Sequence, residues 1–228
     1  MLYTIGDLHL SLGSDKPMDI FPGWTDYLER LENNWNSKIT AEDTVILLGD
    51  HSWALKLENS LADLEFIDKR LNGKKILVKG NHDLWWSTMN KVTSFAAQNG
   101  LTTLSFLFNN AYLVEGKVIC GTRGWISENG ESADAKVLNR EAGRLELSLQ
   151  AAAKLDGELV AFIHYPPIYG REENIPITNI LHKYGVKRCY YAHLHGRSIK
   201  DALNGERGGV EYRLVSADGV GFDPVQIN

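Results

Sequence analysis

The reading of the fold starts from Met1-Leu-Tyr-Thr-Ile-Gly-Asp-Leu-His-Leu10. Residues 2–5 form a short apolar run suited to a buried strand, and Gly6 opens a turn. Asp7 and His9 follow, two apart. On extended backbone, side chains two apart lie on the same side. A carboxylate and an imidazole are therefore expected to leave the end of the first strand together. Alone, Asp-x-His is weak evidence and is better read as a capping aspartate and a surface histidine. Repetition downstream changes that. Gly49-Asp50, Gly80-Asn81-His82-Asp83, His164 and His193-Leu194-His195 each follow a run that reads as a buried strand.

Working outward, residues 11–22 carry Gly13, Pro17 and Pro22 and read as loop. Trp24, Tyr27, Leu28, Leu31 and Trp35 then recur at helical spacing, an aromatic stripe suited to core packing. Residues 44–48 form the next apolar strand. Leu57, Leu61, Leu64, Ile67 and Leu71 mark a second amphipathic helix, closed by Asn72-Gly73. Residues 76–78 are a third strand, and 87–98 a third helix. Strand and helix alternate through the first hundred residues, which implies right-handed crossovers and a parallel sheet. Sites in such sheets form at the carboxyl ends of the strands, where these motifs fall.

The second half opens with short β segments at 104–108, 111–115 and 118–121, with Glu115-Gly116-Lys117 as a hairpin turn. A polar loop after Trp125 is long enough to form a lid or pocket rim. The longest helix is expected over 134–155, followed by a strand at 159–163 that ends in His164-Tyr165-Pro166-Pro167. A short helix over 174–184, a strand over 188–192 and terminal strands at 211–216 and 225–227 complete the chain. No internal repeat, low-complexity tract or linker interrupts it, so residues 1–228 are expected to form one domain.

Composition narrows the partners. The chain has 228 residues, 43% hydrophobic and 23% charged, with a formal net charge of −5. That balance counts against nucleic-acid and anionic-membrane surfaces, which favour basic faces. Cys120 and Cys189 lie far apart in apolar runs and read as reduced thiols of a cytoplasmic protein. No run is long enough to span a membrane, and no leader-like segment precedes the first strand. Oligomeric state is not legible.

Six of the seven histidines, His9, His51, His82, His164, His193 and His195, lie just past an expected strand. Only His182 falls on a helix surface. Asp7, Asp50, Asn81 and Asp83 share those strand ends. Imidazole, carboxylate and amide oxygen suit manganese, iron, zinc, nickel or cobalt, and no thiolate accompanies them. Two such ions about 3.5–4 Å apart neutralise phosphate oxygens and lower the pKa of a shared water. A nearby histidine then protonates the leaving oxygen.

The order and spacing of these five motifs, over residues 1 to roughly 200, resemble the calcineurin-like metallophosphoesterases. The resemblance implies an α/β fold: a four-layer α/β/β/α sandwich of two mixed β-sheets flanked by helices. It implies two divalent metal ions, manganese foremost, with iron, zinc, nickel or cobalt as alternatives. Asp7, His9 and His195 match the ligands of one metal, and Asn81, His164 and His193 those of the other. Asp50 matches the carboxylate that bridges them. His82 matches the histidine that contacts phosphate or protonates the leaving group. The implied activity is hydrolysis of a phosphomonoester or phosphodiester by a metal-activated hydroxide. Three departures stand out. Ala192 replaces the usual glycine of the last motif, His51-Ser52-Trp53-Ala54 follows Gly49-Asp50 where the protein-phosphatase branch carries a longer motif ending in arginine, and Asp83 stands where that branch has glutamate. The last two count against a protein phosphatase.

Other residues keep more than one reading. His51 either supports Asp50, lines the pocket or is a plain loop residue. Asp83 is expected to orient loop backbone rather than bind metal. Arg123, Arg171 and Arg197 are candidate phosphate clamps, against the plain reading of solvated arginines. Trp53, Trp85, Trp86 and Trp125 form an apolar or base-stacking wall, with at least two expected in the core. Pocket rims are expected at 11–22, 53–56, 123–132 and 165–174. A small phosphorylated substrate fits, whether a cyclic nucleotide or a nucleotide-linked lipid. A scaffold without chemistry and a nuclease are the alternatives. Intact ligands count against the first and the acidic balance against the second.

Overall fold

The computed structural model describes residues 1–125 and 135–228. Most of the rim expected at 123–132, the lid loop within it and the first residue of the helix expected from Asp134 lie outside the described residues. In chain order the first half runs β1 (Leu2–Ile5), α1 (Tyr27–Asn36), β2 (Thr44–Leu48), α2 (Leu61–Glu65), β3 (Lys74–Val78), α3 (Met89–Gln98), β4 (Leu104–Leu107). The second half runs β5 (Tyr112–Val114), β6 (Lys117–Thr122), α4 (Ala135–Ala152), β7 (Glu158–Ile163), β8 (Ile168–Tyr169), β9 (Glu172–Glu173), α5 (Ile175–Lys183), β10 (Arg188–Tyr191), β11 (Gly205–Arg207), β12 (Val210–Leu214), β13 (Val225–Gln226).

One sheet has the order β13-β1-β2-β3-β4, the other β11-β12-β10-β7-β6-β5. β1 to β4 are mutually parallel, and so are β6, β7, β10 and β12. Antiparallel strands β13, β11 and β5 sit at the edges, which makes both sheets mixed. Three apolar layers separate four structural ones. Val45, Leu47 and Leu77 face Leu31, Trp35 and Leu64 of the first helices. Ile46, Leu48, Ile76 and Val78 face the second sheet, against Val160, Phe162 and Tyr190. Ala161, Cys189 and Tyr191 face Leu145, Leu149 and Leu181 of α4 and α5. β2 is apolar at every position after Thr44 because both of its faces are covered. The fold is the expected α/β/β/α sandwich.

Several boundaries differ from the sequence reading. α1 begins at Tyr27, because Asp26 has φ 53° and breaks helical geometry before it. Residues 57–70 form a composite helix, a 3-10 turn at Leu57–Ser60, then α2, then a widened π turn at Phe66–Arg70. The buried Lys75 Nζ donates to the Asp68 carbonyl at 3.2 Å, a side chain inserted where the helix ladder widens. The rim expected at 165–174 contains the β8–β9 hairpin, and 196–201 forms a 3-10 turn.

The sheets converge at Gly6. Its N–H donates to Val215 O at 2.8 Å, and its carbonyl accepts from Ala217 N at 3.0 Å. A Cβ at Gly6 would lie 2.6 Å from Ala192 Cβ. Ala192 is thus tolerated because the facing residue has no side chain.

Phe162 is fully buried between the sheets and stacks on Tyr190 at 5.4 Å and 13°. Phe162→Ala is expected to lower unfolding stability by about 3–5 kcal/mol. Urea denaturation checks this.

Candidate metal centre

Every candidate ligand sits just past the carboxyl end of a strand. Asp7 and His9 follow β1, Asp50 follows β2, and Asn81 and His82 follow β3. His164 follows β7, and His193 and His195 follow β10. The backbone there is not extended, contrary to the expectation for Asp-x-His. Asp7 (φ 58°), His9 (φ 45°), Asp50 (φ 51°) and His193 (φ 75°) all occupy the left-handed region. They make up half of the eight non-glycine residues of this kind among the described residues. Such conformations cost roughly 1–2 kcal/mol each for L-residues and persist where surrounding bonds impose them. Here Asp7 N donates to Gly49 O at 3.0 Å, and His9 N donates to Asp50 O at 2.8 Å.

Two groups of ligand atoms result. Asp7, His9 and His195 bring theirs within 4.8 Å of one another, as do Asp50, His164 and His193. His9 Nε2 and His195 Nε2 lie 3.2 Å apart. Asn81 Oδ1 lies 2.7 Å from His164 Nε2 and 3.0 Å from His193 Nδ1, which adds it to the second group. Asp50 Oδ1 accepts the His82 N–H at 2.8 Å. Its Oδ2 stands 3.5 Å from His164 Nε2 of its own group and 3.8 Å from His9 Nε2 of the other.

Neighbouring groups aim the ligands. His164 Nδ1 donates to Leu48 O at 2.8 Å, and His195 Nδ1 donates to Asp218 Oδ1 at 2.9 Å. Each ring therefore turns the Nε2 lone pair inward. Asp83 is fully buried and accepts N–H groups from Gly80 (2.7 Å), Asp50 (2.9 Å), His51 (2.8 Å) and the Trp85 indole (3.0 Å). His51 Nδ1 lies 2.9 Å from the same carboxylate. Burial raises the Asp83 pKa, but the His51 ring and the N–H donors outweigh it and hold the carboxyl well below its usual range. Gly80 has no room for a side chain, since a Cβ would meet Asp50 Oδ1 at 2.1 Å.

The residues fit a cation pair. Asp7 Oδ1 is buried without a hydrogen-bond partner. Burial raises the Asp7 carboxyl to about 6, and burial together with Asp7 and Asp83 pushes Asp50 well above its usual value. Burial drives His9 and His164 the other way and keeps them neutral. Lone pairs and unneutralised carboxylates facing one point are what a divalent cation needs. Cys120 and Cys189 take no part, being buried in β6 and β10 with thiol pKa values raised by burial.

Comparison with known proteins agrees. The family model described as calcineurin-like phosphoesterase matches residues 2–197. The chain belongs to the calcineurin-like phosphoesterase family. The fold is similar to that of a protein of unknown function, AQ665 from Aquifex aeolicus, with TM-score 0.56 and 16% identity over 99% of this chain and 94% of that one. TT1561 of Thermus thermophilus is similar too, with TM-score 0.57 and 15% identity over 92% and 86%. No curated protein matches.

Around this candidate metal centre, the remaining candidates separate. His82 is half-buried and lines a cavity with His9, His195 and Arg197, which is exposed at its rim. His51 is fully buried under the Gly49-Asp50 turn and cannot meet a substrate, so the pocket-lining reading is corrected. Arg123 Nη2 lies 3.2 Å from the buried Glu141, which also binds Arg144 Nη1 at 2.6 Å, and it lines a separate small cleft with Lys79. Arg171 is exposed at the β8–β9 turn. Trp85 and Trp86 are core, Trp53 lines the cavity, and Trp125 packs on Tyr165 at 5.2 Å. Asp218 is the functional residue that sequence reasoning missed. Its signal was Ser216-Ala-Asp-Gly219 past β12, one more polar stretch at a strand end.

Asp83→Ala is expected to cost about 3–5 kcal/mol in urea denaturation, because it leaves the buried His51 and several N–H groups unpaired. Mn²⁺ affinity is expected to weaken at least about tenfold per unit as pH falls below about 6, because cations must then displace protons from Asp7 and Asp50. Calorimetry in two buffers of different ionisation enthalpy detects that release.

Proposed function

We propose that the protein is a dinuclear-metal-dependent phosphohydrolase that cleaves a phosphomonoester or a phosphodiester. The observation that carries the reading is Asp50 Oδ2, which lies 3.8 Å from His9 Nε2 of one candidate ligand group and 3.5 Å from His164 Nε2 of the other. In this reading Asp7, His9 and His195 hold one cation. Asn81, His164 and His193 hold the other, and Asp50 joins them. The pair, with manganese foremost and iron, zinc, nickel or cobalt as alternatives, supplies charge neutralisation at phosphate and an acidified water.

The remaining work falls to the chain's own residues. The His82 N–H holds one Asp50 oxygen and leaves the other for the centre. Leu48 O and Asp218 fix the rings of His164 and His195. The His82 side chain, at the cavity floor, donates a proton to the leaving oxygen. Arg197, at the rim, offers a positive charge to a phosphate oxygen. Because both sheets supply ligands, residues 1–228 act as one unit. Reduced thiols at Cys120 and Cys189 suit the cytoplasm. An intact ligand set speaks against a scaffold, and a net charge of −5 against a nuclease.

Asp50→Asn is expected to abolish metal-dependent turnover of chromogenic phosphoesters. His82→Ala is expected to lower kcat by about 10²–10⁴ while metal content and circular dichroism stay unchanged. Full activity in both variants would overturn the reading.

A further inference from the structure

The metal centre opens into a cavity of about 700 Å³, a volume typical of small-ligand sites. Its floor is His9, His82 and His195, and its wall is Met18, Phe21, Pro22, Trp24 and Trp53. Among the described residues no Asn, Gln, Ser or Thr lines it. Two polar side chains of the lining are already engaged. Trp53 Nε1 donates to Met18 Sδ at 3.2 Å, and Asp218 accepts from His195 Nδ1 and Gly196 N. The Trp53 ring is also covered. His9 stacks on it at 4.8 Å and 23°, and Lys16 Nζ lies 4.7 Å from its centroid. Trp24 packs against Tyr27, Phe222 and His9. The stacked face of Trp53 is thus occupied, and among the described residues the lining offers no side-chain amide or hydroxyl to read a nucleobase edge.

The surroundings extend the apolar character. Ten large apolar side chains are exposed among the described residues. Five of them, Leu12, Ile20, Phe21, Leu55 and Leu84, lie on the loops after β1, β2 and β3 that carry Asp7, Asp50 and His82. Of these, Phe21 lines the cavity itself.

We infer that the organic part of the substrate is a hydrocarbon chain lying in this cavity, so that the protein acts on the phosphoester of an amphiphile rather than of a nucleoside. This rests on the phosphohydrolase reading, because the metal centre positions the phosphate at the cavity floor. Arg197 and the cations take the phosphate, and Met18, Phe21 and Trp53 take the chain. Burial of each methylene in such a wall strengthens binding about fourfold at most.

Methyl-, butyl- and octylphosphonate, titrated calorimetrically into the Mn²⁺-loaded protein, test this without turnover. Octylphosphonate is expected to bind at least about tenfold tighter than methylphosphonate. Phe21→Ser, at a half-exposed position, is expected to shrink that ratio and leave methylphosphonate affinity unchanged. Equal affinities along the series, no binding of any phosphonate, or an unchanged ratio in Phe21→Ser would each overturn the inference. Matched alkyl aryl phosphodiesters separate the two claims. Turnover with no chain-length gain in binding removes this inference and leaves the phosphohydrolase reading standing. Chain-length-dependent binding with no ester hydrolysed removes the phosphohydrolase reading and, with it, the claim of turnover, and leaves only a hydrocarbon-binding cavity.

Discussion

The Asp83 carboxylate ties the loop after β3 to the loop after β2. Its two oxygens collect the N–H groups of Gly80, Asp50 and His51, and the His51 ring closes the cluster. Those N–H groups belong to turns that leave the ends of parallel strands, where no ladder partner remains for them. Without an acceptor they would be buried and unpaired, at about 1–3 kcal/mol each. Satisfying them from one residue fixes the relative position of Asp50 and Asn81, which belong to different ligand loops. The left-handed backbone at Asp50 is held by the same bonds.

A second constraint is the convergence of the sheets. Ligands come from β1, β2 and β3 on one side and from β7 and β10 on the other. They meet only because Gly6 bonds across to the end of β12 and faces Ala192 without a side chain. The apolar layer between the sheets, with Phe162, Val160, Ile46 and Leu48, fixes the spacing over which the ligands then converge. Packing and chemistry are thus joined at one edge. The core sets the separation of the loops, and the loop bonds set the directions of the ligands.

Much of this was legible in the sequence. Apolar runs of strand length separated by helical periodicity revealed the strands, the helices and a parallel sheet, because both faces of the inner strands are covered; the division into two sheets was implied only by the family resemblance. Chemically distinctive residues at strand ends picked out the ligand positions. Other features depend on contacts between distant segments. Asp218 lies outside the histidine-bearing motifs, and the packing of β12 beside β10 brings it to His195. His51 reads as a loop histidine until the Asp83 pair buries it. Arg123 reads as a clamp until Glu141, from a helix 18 residues on, takes its guanidinium. The left-handed turn at Asp7 and His9 is imposed by bonds to the β2 loop, which local propensity does not encode. The β8–β9 hairpin spans only two residues per strand, too few to leave a periodic signal.

Everything in the proposed chemistry turns on one centre that holds two ions through a shared Asp50. Metal content of the purified chain, after Mn²⁺ loading and removal of excess, probes that centre without any assumption about substrate. Plasma mass spectrometry read against protein concentration gives the ratio. Two ions per chain are expected. A single ion, or none, would refute the shared centre.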